Sequence, residues 1–308
     1  MEYLANHLDA FLETFSGWFP AETFFAYSFN VRALLAVLLI GILCGSVGAL
    51  VVGNRMAFFS DALAHCAFAG VALGLLLFFL TGRADEEFRF WITTNLLLFG
   101  IVFGVLITFV RERTGLANDT VIGVFFAGAM GMGAIFTRMV AGKRYFNLES
   151  FIFGDPLFVQ SWEIVMLLGL CLVFGYFLVT RYNEMVLASI HPSLARSRRV
   201  QVRALQYAFV ILLALLVNLC VQVVGILLIN AMLIVPAAAA ANVSRNLRQL
   251  FWWSIGLSTF GGLAGPWLGW ELNMRWNLQV GVSGTIVVLG TLIFAASVPL
   301  GRWIKQEG

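Results

Sequence analysis

The chain has 308 residues, of which 61% are hydrophobic and 11% charged, where an ordinary soluble domain carries about 25% charge. That balance excludes a soluble globular enzyme, and a formal net charge of only +3 argues against nucleic acid as a partner. With 29 Phe, 9 Trp and 30 Gly, the composition is that of an all-α polytopic integral membrane protein, aromatic where it meets lipid and small-residue where helices cross.

The first 30 residues stand apart. Leu8 to Phe29 mixes Phe, Trp and Tyr with Glu13, Pro20 and Glu22, which reads as an interfacial amphipathic segment in contact with membrane lipid. There is no basic stretch followed by a continuous apolar core, so no cleaved signal peptide is expected.

Residues 31–303 form the transmembrane domain. A bilayer core needs about 20 apolar residues per helix, and such runs lie near 31–53, 57–80, 90–110, 119–140, 160–181, 204–221, 223–242, 249–269 and 280–301. The count is eight or nine. Within 204–242 only Val221-Gln222-Val223 marks a turn, which fits two short helices or one broken helix. Cys44, Cys66, Cys171 and Cys220 stand singly in apolar segments and read as core positions.

Lys and Arg gather on the cytoplasmic side of a membrane protein. The densest cluster, Arg181 through Arg203, therefore sets the cytoplasmic side, with Arg55, Arg111, Arg113, Arg245, Arg248, Arg302 and Lys305 alongside it. The acidic loop Asp85-Glu86-Glu87 and the N-terminus fall outside, and Arg138, Lys143 and Arg144 run against the rule. Four small-xxx-small pairs, Gly41 with Gly45, Gly70 with Gly74, Gly100 with Gly104 and Gly261 with Gly265, predict close helix packing within the subunit. Pro236, followed by five alanines, predicts a kink in an apolar helix, as a static bend or as a pathway lining.

The polar residues at membrane depth carry the chemistry. Asp61 and His65 interrupt an otherwise apolar run, and a carboxylate near mid-bilayer costs roughly 2.5–3.5 kcal/mol on insertion scales. Four residues apart on a helix, they share one face. They read either as a buried pair tying two helices together or as ligands on a metal pathway, since carboxylate and imidazole suit zinc, manganese and ferrous iron. Asp119, in Asn118-Asp119-Thr120, reads as a helix cap or a further ion contact. Asn230 reads as an interhelical hydrogen bond or a supplementary ligand. Phe153-Gly154-Asp155-Pro156 reads as a turn. His191-Pro192 begins a basic segment in which Pro192 to Val202 has the makings of a short surface helix, with proline in its first turn. No G-x-x-x-x-G-K-[ST] or H-E-x-x-H motif occurs, so the chain is not expected to hydrolyse ATP itself.

From about Arg32 to Pro299, in order, the chain resembles the permease subunits of zinc, manganese and iron importers, the ABC-3 family. The resemblance rests on "NRMAFFSDALAHCAFAGVALG", "NDTVIGVFFAGAMGMG", "FIFGDPL", "HPSLARSRRVQV" and "VVGILLINAMLIVPAAAAANVSRN". It implies a multi-pass permease of the bacterial cytoplasmic membrane, paired with a second permease subunit, usually as a homodimer. It also implies separate cytosolic ATPase subunits, an extracytoplasmic metal-binding protein and Zn(II), Mn(II) or Fe(II) as cargo, with no permanently bound cofactor. Asp61 and His65 match the family's S-D-A-x-x-H segment, to which a role in the metal path is attributed. The loop with His191, Pro192, Leu194, Ala195 and Arg199 falls at the ATPase-coupling position, about 191–203. It departs from the family pattern, with His191 at a usually acidic place and Arg199 where glycine is expected. A permease for a metal chelate and an intramembrane metalloenzyme are the alternatives, the latter short of a second histidine within a span.

Overall fold

The computed structural model describes residues 2–20, 23–54, 56–82, 88–140, 153–278 and 280–306, and among these every regular element is helical. Helix α1 (Glu2–Ser16) leads through a 3₁₀ turn, Phe24–Ala26, into α2 (Ser28–Gly53). There follow α3 (Ala57–Thr81), α4 (Phe88–Thr114), α5 (Asn118–Val140), a 3₁₀ turn at Pro156–Phe158, α6 (Ser161–Ile190) and the short α7 (Pro192–Ser197). The chain closes with α8 (Val202–Val224), α9 (Ile226–Val243), α10 (Leu247–Trp276) and α11 (Val282–Gln306).

Eight of these helices are long and apolar enough to cross a bilayer, namely α2 to α6, α8, α9 and α11. Helix α10 has 30 residues, but its Trp, Ser and Gly make it less apolar. Two boundaries shift. The 204–242 run is two helices, one of the two readings, but the break falls at Gly225 rather than Val221–Val223, and the Gly225 φ of 84° is one that no other residue type adopts readily. Helix α6 continues past Arg181 to Ile190, and the Arg181–Glu184 ion pair at 2.9 Å lies along this extension. The irregular part of the basic segment therefore starts at His191. Within the N-terminal segment the helix runs Glu2–Ser16. Residues Arg55, Asp85, Glu86, Glu87, Lys143 and Arg144, used for orientation, lie outside the described residues.

The chain divides into two compact units: Met1–Asn54, Ile152–Leu178 and Val223–Gly308 form the first, Arg55–Phe151 and Val179–Gln222 the second.

In the first unit, α2 packs against α9 and α10. A Cβ on Gly45 would come within 2.5 Å of the Ile255 Cα, and one on Gly48 within 2.2 Å of the Leu233 carbonyl oxygen. These glycines are required by backbone contact. Gly41 meets Thr259 and Gly265 meets Ile286, whereas Gly261 faces open space. Pro236 lies inside α9, so the Met232 carbonyl receives no helical amide hydrogen. The buried Ser258 hydroxyl on α10 donates to it instead, at 3.2 Å. The Phe153-Gly154-Asp155 turn crosses the chain at the α9 start. Gly154, at φ 56°, has the Gly225 nitrogen 2.6 Å from where its Cβ would be. Ser283 of α11 donates to the Gly154 carbonyl at 3.0 Å.

In the second unit, α3 packs against α4 and α5. Gly70 and Gly74 meet Leu96, Phe99 and Asn95 of α4, and Gly133 of α5 meets the Phe68 ring. Gly100 of α4 makes room for Asn218 of α8, a fully buried amide that donates to the Ala214 carbonyl at 2.6 Å. Thr93 and Gln222 join α4 to α8 by side-chain hydrogen bonds at 2.9 and 3.1 Å.

Candidate functional site

Asp61 and His65 lie one turn apart on α3, among buried neighbours Ser60, Ala62, Leu63, Ala64 and Cys66. Both are only half-buried, with side-chain exposures of 39% and 30%. The polar pair thus stays accessible in a stretch of α3, Phe59 to Ala72, whose other residues are buried. His65 Nδ1 is 2.9 Å from the Asp61 carbonyl oxygen and 3.4 Å from the Asp61 carboxylate Oδ1. With Nδ1–H donating to that carbonyl, the lone pair belongs to Nε2, the arrangement in which a ligating histidine is held by its second nitrogen. The Phe126 ring of α5 meets the imidazole edge to face, with centroids 5.0 Å apart, and so limits the ring's rotation.

Asp119 is exposed in the first turn of α5. The Thr120 and Val121 amides both donate to the Ala117 carbonyl, so Ala117 occupies the cap position and Asp119 is the second residue of the helix, where a carboxylate suits the helix dipole. It lies seven residues before Phe126, hence on the same stripe of α5 and about 10 Å along the axis. Asn230 is half-buried on α9, within the first unit, and Pro236 is buried on the same helix. Among the described residues no group of three or more His, Cys, Asp and Glu gathers to hold an ion. One chain therefore offers one carboxylate and one imidazole, a loose site.

Asp155 forms the expected turn, its carboxylate accepting from the Leu157 amide at 3.0 Å. Burial pushes its carboxyl above the ordinary range, with the Leu157 bond pulling the other way.

The basic segment has a definite build. His191, exposed, stands at the N-cap of α7, its carbonyl accepting from the Ala195 amide at 3.0 Å, and Pro192 opens the helix. Leu194 is 45% exposed and Ala195 fully buried. The expected run to Val202 stops at Ser197. There the Val200 amide donates to the Ala195 carbonyl and the Arg199 amide to the Arg196 carbonyl, both at 3.0 Å. This is the Schellman closure. Its left-handed residue is Arg199, at φ 58°, which gives the physical reason for a glycine at this place. Beside it, Glu112, Arg196, Gln201 and Arg203 line an open cleft of about 710 Å³.

Phe126 and Ser258 escaped the sequence reading. The seven-residue step from Asp119 was the available signal for Phe126. Ser258 had none, since its value depends on a carbonyl on another helix.

The profile of the ABC 3 transport family matches residues 26–300. The chain belongs to this family. Among similar proteins are the manganese import system permease protein ScaB of Streptococcus parasanguinis, 29% identical over 87% of this chain and 89% of that one, and the manganese transport system membrane protein MntC of Listeria monocytogenes, 29% identical over 89% and 91%. PsaBC from Streptococcus pneumoniae, solved with a Fab, matches with a TM-score of 0.72 at 24% identity, covering 92% of this chain and 96% of that one. An inward-facing, putative metal-chelate type ABC transporter matches at 0.67 and 15% identity, covering 87% and 85%. These two likenesses establish the fold. As an ABC 3 family member with eight helices long and apolar enough to cross a bilayer among the described residues, the chain is a multi-pass membrane permease and not an enzyme.

Proposed function

We propose that this permease carries a divalent transition-metal ion, manganese in the first place, across the bacterial cytoplasmic membrane, with Asp61 and His65 as its contacts on the way. The observation that carries the reading is the geometry of the pair: one accessible carboxylate and an imidazole whose Nδ1 is engaged, leaving Nε2 for an ion. The names of the ScaB and MntC relatives favour manganese, and a nitrogen–oxygen site also accepts zinc and ferrous iron. Two ligands per chain fall short of a closed site, which suits passage, since an ion must also leave. A second copy facing the first would double the set to two carboxylates and two imidazoles. Asp119 and Asn230 are supplementary candidates.

In this reading a separate cytosolic ATPase drives the cycle and docks on the segment 191–203, where the exposed Leu194 and the cleft lined by Arg196 and Arg203 offer an apolar knob and a basic rim. An extracytoplasmic metal-binding protein delivers the ion. The test is uptake of Mn(II) and Zn(II) by cells carrying Asp61→Ala or His65→Ala. Loss of uptake with normal amounts of folded complex is expected. Undiminished uptake by Asp61→Ala would remove the pair from the path, and transport of chelated iron but not free ions would replace the bare ion as cargo.

A further inference from the structure

Helix α1 lies outside the matched family residues 26–300, yet it is built into the first unit. Its 100° steps sort it into three faces. Ala5, Leu12 and Ser16, all buried, form the face toward α2. Asp9, on that face, accepts from the Arg32 guanidinium at 2.7 Å and from the Ser161 hydroxyl, both on the same carboxylate oxygen. One acidic side chain thus fastens α1 to the first turns of α2 and α6. A second face carries Leu4, Phe11 and Phe15, and Trp18, just past the helix end, lies 6.1 Å from the Phe15 ring; Phe11 is 63% and Trp18 77% exposed. The third is mixed, with Asn6, Glu13 and Thr14 exposed beside Ala10 and the amphipathic Tyr3.

The position along the membrane normal follows from packing. Helices α2 and α10 are antiparallel: Val37 meets Gly262, Gly41 meets Thr259, and Gly45 meets Ile255. Continued toward the start of α2, this register reaches Trp270, and Trp270 indeed meets Phe24 edge to face and Tyr27 at a tilt, with centroids 5.7 and 5.3 Å apart. From Phe11 through Phe15, Phe19, Phe25 and Phe24 to Trp270, successive ring centroids lie 5.2–6.4 Å apart. The exposed face of α1 therefore continues an aromatic row that runs, through the buried Phe24, to the start of the bilayer-length α2, the level at which Trp and Tyr gather at a bilayer surface.

We propose that α1 is a membrane-surface strut, its Leu4, Phe11 and Phe15 face and the Trp18 just past its end seated in the lipid interface while Asp9 holds it to the ends of α2 and α6. Protein on one side, lipid on the next and water on the third account for all three faces. A helix with an apolar face and little net hydrophobicity lies in the interface plane, and the row's continuity with the lipid-covered helix ends selects lipid over a protein partner.

A photoreactive benzophenone amino acid placed singly at positions 11, 18 and 13 of the full chain, reconstituted in phosphatidylethanolamine–phosphatidylglycerol vesicles, tests this. Lipid adducts at 11 and 18 are expected to exceed those at 13 at least tenfold. Equal yields at 11, 18 and 13, or adducts at 11 and 18 to a second copy or another protein, would overturn the proposal. In the Asp9→Ala background the helix is free to roll, and the 11-to-13 ratio should fall below about threefold; Ser161→Ala provides the same test through the other bond. An unchanged ratio in both variants would overturn the role of Asp9.

Discussion

The Ser258 hydroxyl of α10 supplies, at 3.2 Å, the hydrogen that Pro236 withholds from the Met232 carbonyl of α9. The kink is therefore satisfied from a neighbouring helix rather than left open, as proline in a membrane helix requires. Ser258→Ala should destabilise the protein by about 1–3 kcal/mol, the cost of an unpaired buried acceptor. Pro236→Ala restores the amide donor, so Ser258→Ala should cost little in that background. Thermal unfolding of both single variants and the double variant in detergent measures the coupling, and additive effects would contradict this account.

Arg199 holds the left-handed position of the α7 closure, at φ 58°. A non-glycine residue there is strained by roughly 1–2 kcal/mol. Arg199→Gly should slow amide exchange at Arg199 and Val200, whose hydrogen bonds close the helix, by about tenfold. Arg199→Val should accelerate it, because a β-branched side chain fits this region worse.

The crossing of Gly154 and Gly225 has room for no side chain. A Cβ on Gly154 would stand 2.2 Å from the Val224 carbonyl oxygen, and both glycines have positive φ. Gly154→Ala and Gly225→Ala should each lose more than about 3 kcal/mol, combining conformational strain with overpacking. The yield of monodisperse protein after purification is the readout. Gly115→Ala, at φ 62° in open space, should suffer only the conformational part.

Burial raises the Asp155 carboxyl above its ordinary value, so the fold favours its protonated form. The associated stability is present below the unfolded value, about pH 3.9, and is lost as pH rises through the folded value. Asp155→Asn should flatten this part of the stability–pH profile and keep the Leu157 amide's acceptor. A melting-temperature series from pH 4 to 7 compares the two proteins.

The spans were legible because hydrocarbon runs of bilayer length admit few other structures, and Asp61 with His65 because their polarity is costly there. Their partners were harder to see. Phe126 resembles any other aromatic of an apolar helix until α5 is placed beside α3. The break at Gly225 hides in Val-Val-Gly-Ile, which continues the apolar pattern on both sides; only its contact with Gly154, 71 positions earlier in the sequence, reveals why glycine is there. The overrun of α6 was concealed by charge, since Arg181 and Glu184 read as a loop although they pair along a helix.

Helix α6 has 30 residues, an axial length of about 45 Å, against a hydrocarbon core of about 30 Å. Even leaning at 40°, near the limit seen for membrane helices, it overshoots that core. Part of its length must therefore lie in the headgroup layer, where the Arg181–Glu184 pair is solvated at no cost to the span.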